Sequence, residues 1–94
     1  MREKDIEREL VMAVKAAGGM CPKFSSPGTD GMPDRLVLFR DGKAGFVEVK
    51  APGQSPRPLQ SLRHRQLKAL GFPVFVLDDK AQIPEIILRI KGEE

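Results

Sequence analysis

Apolar and polar positions follow two different rhythms along the chain. Over residues 3–17, EKDIERELVMAVKAA, apolar side chains fall at Ile6, Leu10, Ala13, Val14 and Ala17. This spacing predicts a helix with one buried stripe, and Gly18-Gly19 predicts its end. MCPKF at 20–24 predicts a short strand that Pro22 consigns to a sheet edge. SSPGTDGMP at 25–33 is rich in turn formers and predicts a loop. Residues 34–40 and 44–50 predict two strands around an Asp41-Gly42 turn, and APGQSPRP at 51–58 predicts a second loop. Leu59, Leu62, Leu67 and Leu70 predict a helix over 59–70, with Pro58 suited to its first turn and Gly71 to its stop. PVFVLD at 73–78 reads as a buried strand. The tail DKAQIPEIILRIKGEE predicts a last helix from about Pro84, with Glu85 near its positive end.

The expected order is helix, weak strand, strand, strand, helix, strand, helix. The strand–helix–strand unit over 44–78 requires a right-handed parallel crossover, whereas the hairpin before it is antiparallel. The expected fold is therefore α/β: a mixed sheet with a helix on each face. A length of 94 residues without repeats or low-complexity segments fits a single domain over 1–94.

Composition narrows the setting. The chain is 40% hydrophobic and 31% charged, with neither Trp nor Tyr, so Leu, Val, Ile, Ala and a few Phe must build the core. So small a core invites help from a partner subunit or a ligand. A lone cysteine, Cys21, excludes an intrachain disulfide and fits a reducing compartment. With no matching ligand pattern, it reads as a structural thiol. One Cys and one His cannot build a closed zinc site. No apolar run approaches the roughly 18 residues of a membrane span, and the Met1 end has no signal-like apolar region. The expectation is a soluble chain of the cytoplasm, or of a host's cytoplasm if viral. A net charge of +3 favours a polyanionic partner.

The hairpin carries charge where a core strand would carry Val or Ile. Glu48 and Lys50 share one face of their strand, and the turn decides where Asp34 points. A two-residue loop at 41–42 places Asp34 opposite Val49, on the other face. A three-residue loop at 40–42, with Gly42 left-handed, places it opposite Glu48; a loop at 41–43 places it opposite Lys50. Opposed carboxylates destabilise a sheet unless something compensates. A divalent cation with oxygen ligands compensates well, and a nearby ammonium would steady a water or a phosphate oxygen. An E-x-K triplet alone is also common on solvated sheet faces. The neighbouring residues strengthen the chemical reading. Gly31 and Pro33 shape the approach to Asp34. Gln60 and His64 lie one turn apart on the next helix, and Glu7 flanks the apolar stripe of the first helix.

Taken together, GMPDRLVLF (31–39), FVEVKAPG (46–53) and PLQ (58–60) resemble the VRR-NUC family, the virus-type replication and repair nucleases of the PD-(D/E)xK superfamily. The resemblance covers nearly the whole chain, as a minimal stand-alone member, and implies the restriction-endonuclease-like αβββαβ core. It implies that Asp34, Glu48 and the Val49 carbonyl hold Mg²⁺, for which Mn²⁺ should substitute, with Glu7 completing the site directly or through water. Glu3 lies on the same side of the helix as a less favoured substitute. Lys50 matches the lysine that orients or helps deprotonate the attacking water, and Gln60 matches the family glutamine beside the site. Related nucleases carry Gln-x-x-x-Tyr on this helix; here His64 stands at the tyrosine position, so its role stays open.

The implied substrate is DNA, cut by a structure-specific endonuclease acting on branched forms as a homodimer, in the manner of a Holliday junction resolvase in replication, recombination or repair. Lys23, Arg57, Arg63, His64, Arg65 and Lys68 are the candidate DNA contacts, suited to backbone tracking rather than base stacking because no aromatic residue interleaves with them. A non-catalytic DNA-binding or assembly module with the same fold is the competing class, and a small phosphatase or ribonuclease is a third.

Overall fold

The computed structural model describes residues 1–93. Helix α1 spans Glu3–Ala16, strand β1 Arg35–Leu38, strand β2 Ala44–Val49, helix α2 Pro58–Ala69, strand β3 Val74–Leu77 and helix α3 Ile83–Lys91. A short 3₁₀ turn at Lys80–Gln82 leads into α3. The sheet order is β1-β2-β3, with β1 antiparallel to β2 and β2 parallel to β3. The mixed sheet expected from the crossover logic is therefore present.

Strand alternation sorts the core into two layers. Val37, Val47, Val49 and Leu77 point to the face covered by α1 and α3, where Ile6, Leu10, Val14, Ile83, Ile86 and Ile90 complete the larger cluster. The 6-10-14 spacing of α1 puts three fully buried residues on one stripe. Truncating one of them to alanine would cost about 2–5 kcal/mol. Gly45 lets α3 lie close to β2, because a side chain there would meet Ile90 Cγ1 at 2.7 Å. Phe46, Leu67 and Val74 form the smaller cluster under α2, with Phe24, Met32 and Leu36 packed against it. Phe24 and Phe72 both meet the Phe46 ring edge-on, at centroid distances of 5.6 and 5.8 Å.

One expectation changes in detail, and the start of the last helix falls within a residue of its expected place. The strand expected at 20–24 reduces to isolated bridges, Met20 with Leu38 and Lys23 with Arg35. Proline at 22 has no N–H to donate, so a continuous ladder cannot form there. The last helix starts at Ile83, after Asp79 accepts the Ala81 N–H through its side chain at 2.9 Å. Among the described residues no helix is long and apolar enough to cross a membrane.

Candidate functional site

The turn resolves the parity question. Phe39 N–H donates to the Lys43 carbonyl at 2.8 Å, which leaves residues 40–42 as the loop. Gly42 is left-handed at φ 71°, and Asp41 shares that region at φ 65°. The ladder runs from Leu38↔Ala44 to Arg35↔Val47, so its next step sets Asp34 opposite Glu48. Asp34 itself lies just outside β1. It is held by its own carbonyl, which accepts the Phe24 N–H at 2.8 Å, and by its Oδ2, which accepts the Val49 N–H at 2.8 Å. The second bond sets the Val49 peptide against the Asp34 carboxylate.

Glu48 points to the α2 face and is 1% exposed. Two side chains from α2 reach it. Gln60 Nε2 lies 3.3 Å from Oε2, and His64 Nε2 lies 3.4 Å from Oε1. Gln60 Oε1 accepts the Arg57 N–H at 2.8 Å, so its amide orientation follows from the network: oxygen to the helix start, nitrogen to Glu48. Burial, then the hydrogen bond with Asp34, then that residue's charge push the Glu48 pKa up to about 8; Lys50 opposes the rise and Glu3 adds to it. Burial, assisted by the Lys68 and Lys50 charges, pushes the His64 pKa down, so the imidazole is neutral near pH 7.

The loop before Asp34 is tied to α2. Gly31 is left-handed at φ 86°, and a side chain on it would meet Leu59 Cγ at 2.8 Å. Arg63 Nε donates to the Asp30 carbonyl at 2.7 Å. A cleft of about 510 Å³ opens here, lined by Asp30, Gly31, Arg57, Pro58, Leu59 and Gln60. The larger concavity, about 620 Å³, lies at the far ends of α2 and α3 and includes Lys68 and Glu93 but neither Asp34 nor Glu48. The smaller cleft meets the site through Gln60, whose amide reaches Glu48.

Asp34, Glu48, Gln60 and His64 thus come together, with Lys50 close enough for its charge to act on both Glu48 and His64. Glu7 is not brought into this set. Its Oε2 accepts Arg35 Nε at 2.8 Å, and Arg35 also donates to the Cys21 carbonyl. Arg35 precedes a residue of the other parity, so it and Glu7 sit on the α1 side of the sheet. Glu3, at the start of α1, is instead the helix carboxylate whose charge reaches Glu48. His64 departs from its expected place on a DNA-facing surface: at 7% exposure it is walled in against Glu48. Arg57, Arg65, Lys68 and Lys23 are exposed, whereas Arg63 is half-buried and committed to the loop. Burial pushes the Cys21 thiol up, away from reactivity.

The donor set suits a hard divalent cation. Two facing carboxylates, one buried and holding its proton to about pH 8, are a site that positive charge would relieve. Among the described residues no three His, Cys, Asp or Glu side chains converge as a metal-holding group. An ion here would complete its shell from backbone oxygen and water, as Mg²⁺ does.

No protein-family profile matches the chain. "Putative nuclease p44" of Acyrthosiphon pisum secondary endosymbiont phage 1 is 51% identical over 80 residues, covering 85% of this chain and 86% of that protein. A solved structure described as a VRR_NUC domain superposes with a TM-score of 0.84 at 32% identity, over 90% of this chain and 92% of the other. Likeness of this extent, in sequence and in fold, joins the motif residues gathered around Glu48: the chain belongs to the VRR-NUC family.

Proposed function

We propose that the protein is a Mg²⁺-dependent endonuclease that hydrolyses phosphodiester bonds in DNA. The observation that carries this reading is the opposed Asp34–Glu48 pair, half-buried at Asp34 and buried at Glu48, with Glu48 raised to about 8. Like charges confined together signal a site built for a cation. Asp34, Glu48 and the Val49 carbonyl would hold the ion, and Mn²⁺ would substitute. When bound, such an ion would supply charge relief at phosphorus and make a coordinated water more acidic than bulk water. Lys50, on the same face, would hold that water or a phosphate oxygen through its ammonium. Gln60 anchors Glu48 to the start of α2, where the cleft beside Arg57 gives the DNA backbone a place to lie. Exposed Arg57, Arg65, Lys68 and Lys23 would track phosphates. The phage relative, named a nuclease, supports the reaction class.

The finer reading is a resolvase-like enzyme acting on branched DNA as a symmetric homodimer in replication, recombination or repair, because paired symmetric incisions need two active sites. The exposed apolar residues Leu70, Phe72 and Val76 offer surface for self-association.

A panel of labelled linear, flap, three-way and four-way DNAs, incubated with Mg²⁺, tests this. Cleavage should favour the branched forms, and both Glu48→Ala and Lys50→Ala should abolish it while Lys50→Ala retains DNA affinity. Light scattering should give twice the protomer mass. Binding without cleavage in the wild type would replace the enzyme with a DNA-binding module. A monomer that cuts junctions symmetrically would remove the dimer.

A further inference from the structure

Glu48 is gripped at both carboxylate oxygens by side chains from one helix. Gln60 Nε2 approaches Oε2 at 3.3 Å and His64 Nε2 approaches Oε1 at 3.4 Å. We infer that His64 is a positioning residue: its ring N–H holds Oε1, and with Gln60 on Oε2 it leaves Glu48 a single direction, toward Asp34, in which to offer a metal a lone pair. This rests on the metal-site reading of Asp34 and Glu48.

Three other roles for the imidazole fit less well. Contact with DNA phosphate is closed to a side chain only 9% exposed. Direct ligation would make a cluster with Asp34 and Glu48, and no such three-residue group exists among the described residues. A mere space-filler would not need a nitrogen facing a carboxylate oxygen. An ionised carboxylate offers about four lone-pair sites. Two of them face donors on α2, so the rest lie on the side that Asp34 and the Val49 peptide border. Partners of this kind hold a ligand's orientation and its charge, and their loss typically weakens metal binding 10–100-fold. Gln60 is itself fixed by the Arg57 N–H. The clamp is therefore referenced to the backbone of α2 rather than to mobile side chains.

The test is Mn²⁺ binding to the full chain, read as loss of the free-ion electron paramagnetic resonance signal, with DNA absent. Wild type is compared with His64→Met, which keeps length and bulk but has no donor, with His64→Gln, which restores an N–H, and with Glu48→Gln as the blank. Thermal melts in chelator report folding. The expected result is about 10–100-fold weaker binding in His64→Met and recovery of most of it in His64→Gln. Wild-type binding that His64→Met matches would overturn the clamp and leave the metal site standing. Binding lost equally in His64→Met and a well-folded His64→Gln would overturn the donor role. Wild type binding no better than Glu48→Gln would remove the metal site itself, and the clamp with it.

Discussion

Asp34 and Glu48 face one another one step past the last β1–β2 pair, and the buried Glu48 carboxyl keeps its proton to about pH 8, against an ordinary value of 4.5. The folded state therefore binds more protons than the unfolded one between these values. Stability is highest below about 4.5 on this account and is lost as pH rises toward 8. His64 acts in the opposite sense. Its pKa falls from 6.5 on folding, so raising pH toward 6.5 gains stability. The Glu48 loss is consequently cleanest between about pH 6.5 and 8, where it amounts to about 2 kcal/mol. Urea unfolding in chelator across that interval should show the decline in wild type and a flat profile in Glu48→Gln. A flat wild-type profile would mean that the two carboxyls do not share a buried space.

Gln60 has one end on Arg57 N–H and the other on Glu48, and two substitutions separate these ends. Gln60→Leu removes both, so α2 loses its start as well as the contact; a drop of about 1 kcal/mol in stability is expected from the lost cap. Gln60→Glu keeps an acceptor for Arg57 but turns a second carboxylate toward Glu48. At pH 6, where the pair can share a proton, its melting temperature should stay above that of Gln60→Leu. At pH 8 its cleavage should fall at least about tenfold, because Glu48 now meets repulsion instead of a donor. Equal melting of the two variants at pH 6 would show that the cap contributes nothing.

Glu7 bonds to Arg35 with both side chains mostly out of solvent, 24% and 14% exposed. Glu7→Gln should cost about 1–2 kcal/mol and leave Mn²⁺ affinity close to wild type. Glu3→Gln should do the reverse, keeping stability while weakening Mn²⁺ several-fold, since Glu3 is the α1 carboxylate whose field reaches Glu48. Melting curves beside Mn²⁺ titrations read both. A Glu7→Gln protein of normal stability and poor Mn²⁺ binding would return Glu7 to the metal.

How much of this was legible beforehand depended on how local the signal was. Helical spacing located α1, and strand–helix–strand order predicted the mixed sheet, because both depend on neighbours in sequence. Pro58 and Gly71 bounded α2, but of the four leucines expected to line it only Leu67 is buried. Family likeness was likewise readable from GMPDRLVLF and FVEVKAPG. The face taken by Asp34 was not decidable from alternation alone. It turns on whether the loop holds two residues or three, which depends on the backbone at Asp41 and Gly42. Glu7 and Glu3 both flank the α1 stripe, and only the seating of α1 on the sheet, with Arg35 reaching across, separates them. His64 sits in a run of Arg and Lys that reads as a wet face. Its burial follows from sharing a side of α2 with Gln60 and Leu67, a pattern visible in the spacing but outweighed by the charges around it.

Gly42 and Gly31 are both left-handed, at φ 71° and 86°, yet their surroundings differ. A side chain on Gly42 would meet nothing within 4 Å. Gly42→Ala should therefore cost only the backbone term, about 1 kcal/mol, and Gly42→Asn less, because asparagine tolerates this region. Since the loop still holds three residues, Asp34 stays opposite Glu48 and cleavage below the melting transition should be unchanged. At Gly31 the same strain is joined by contacts at 2.8 Å to Leu59 Cγ and 3.1 Å to its carbonyl oxygen. The backbone oxygen cannot rotate away, so the loop must lift from α2, carrying Pro33 and Asp34 with it. Gly31→Ala should lose more stability than Gly42→Ala and also reduce cleavage and Mn²⁺ affinity. Matching stabilities and activities in the two variants would show that the loop's seat on Leu59 does not position Asp34.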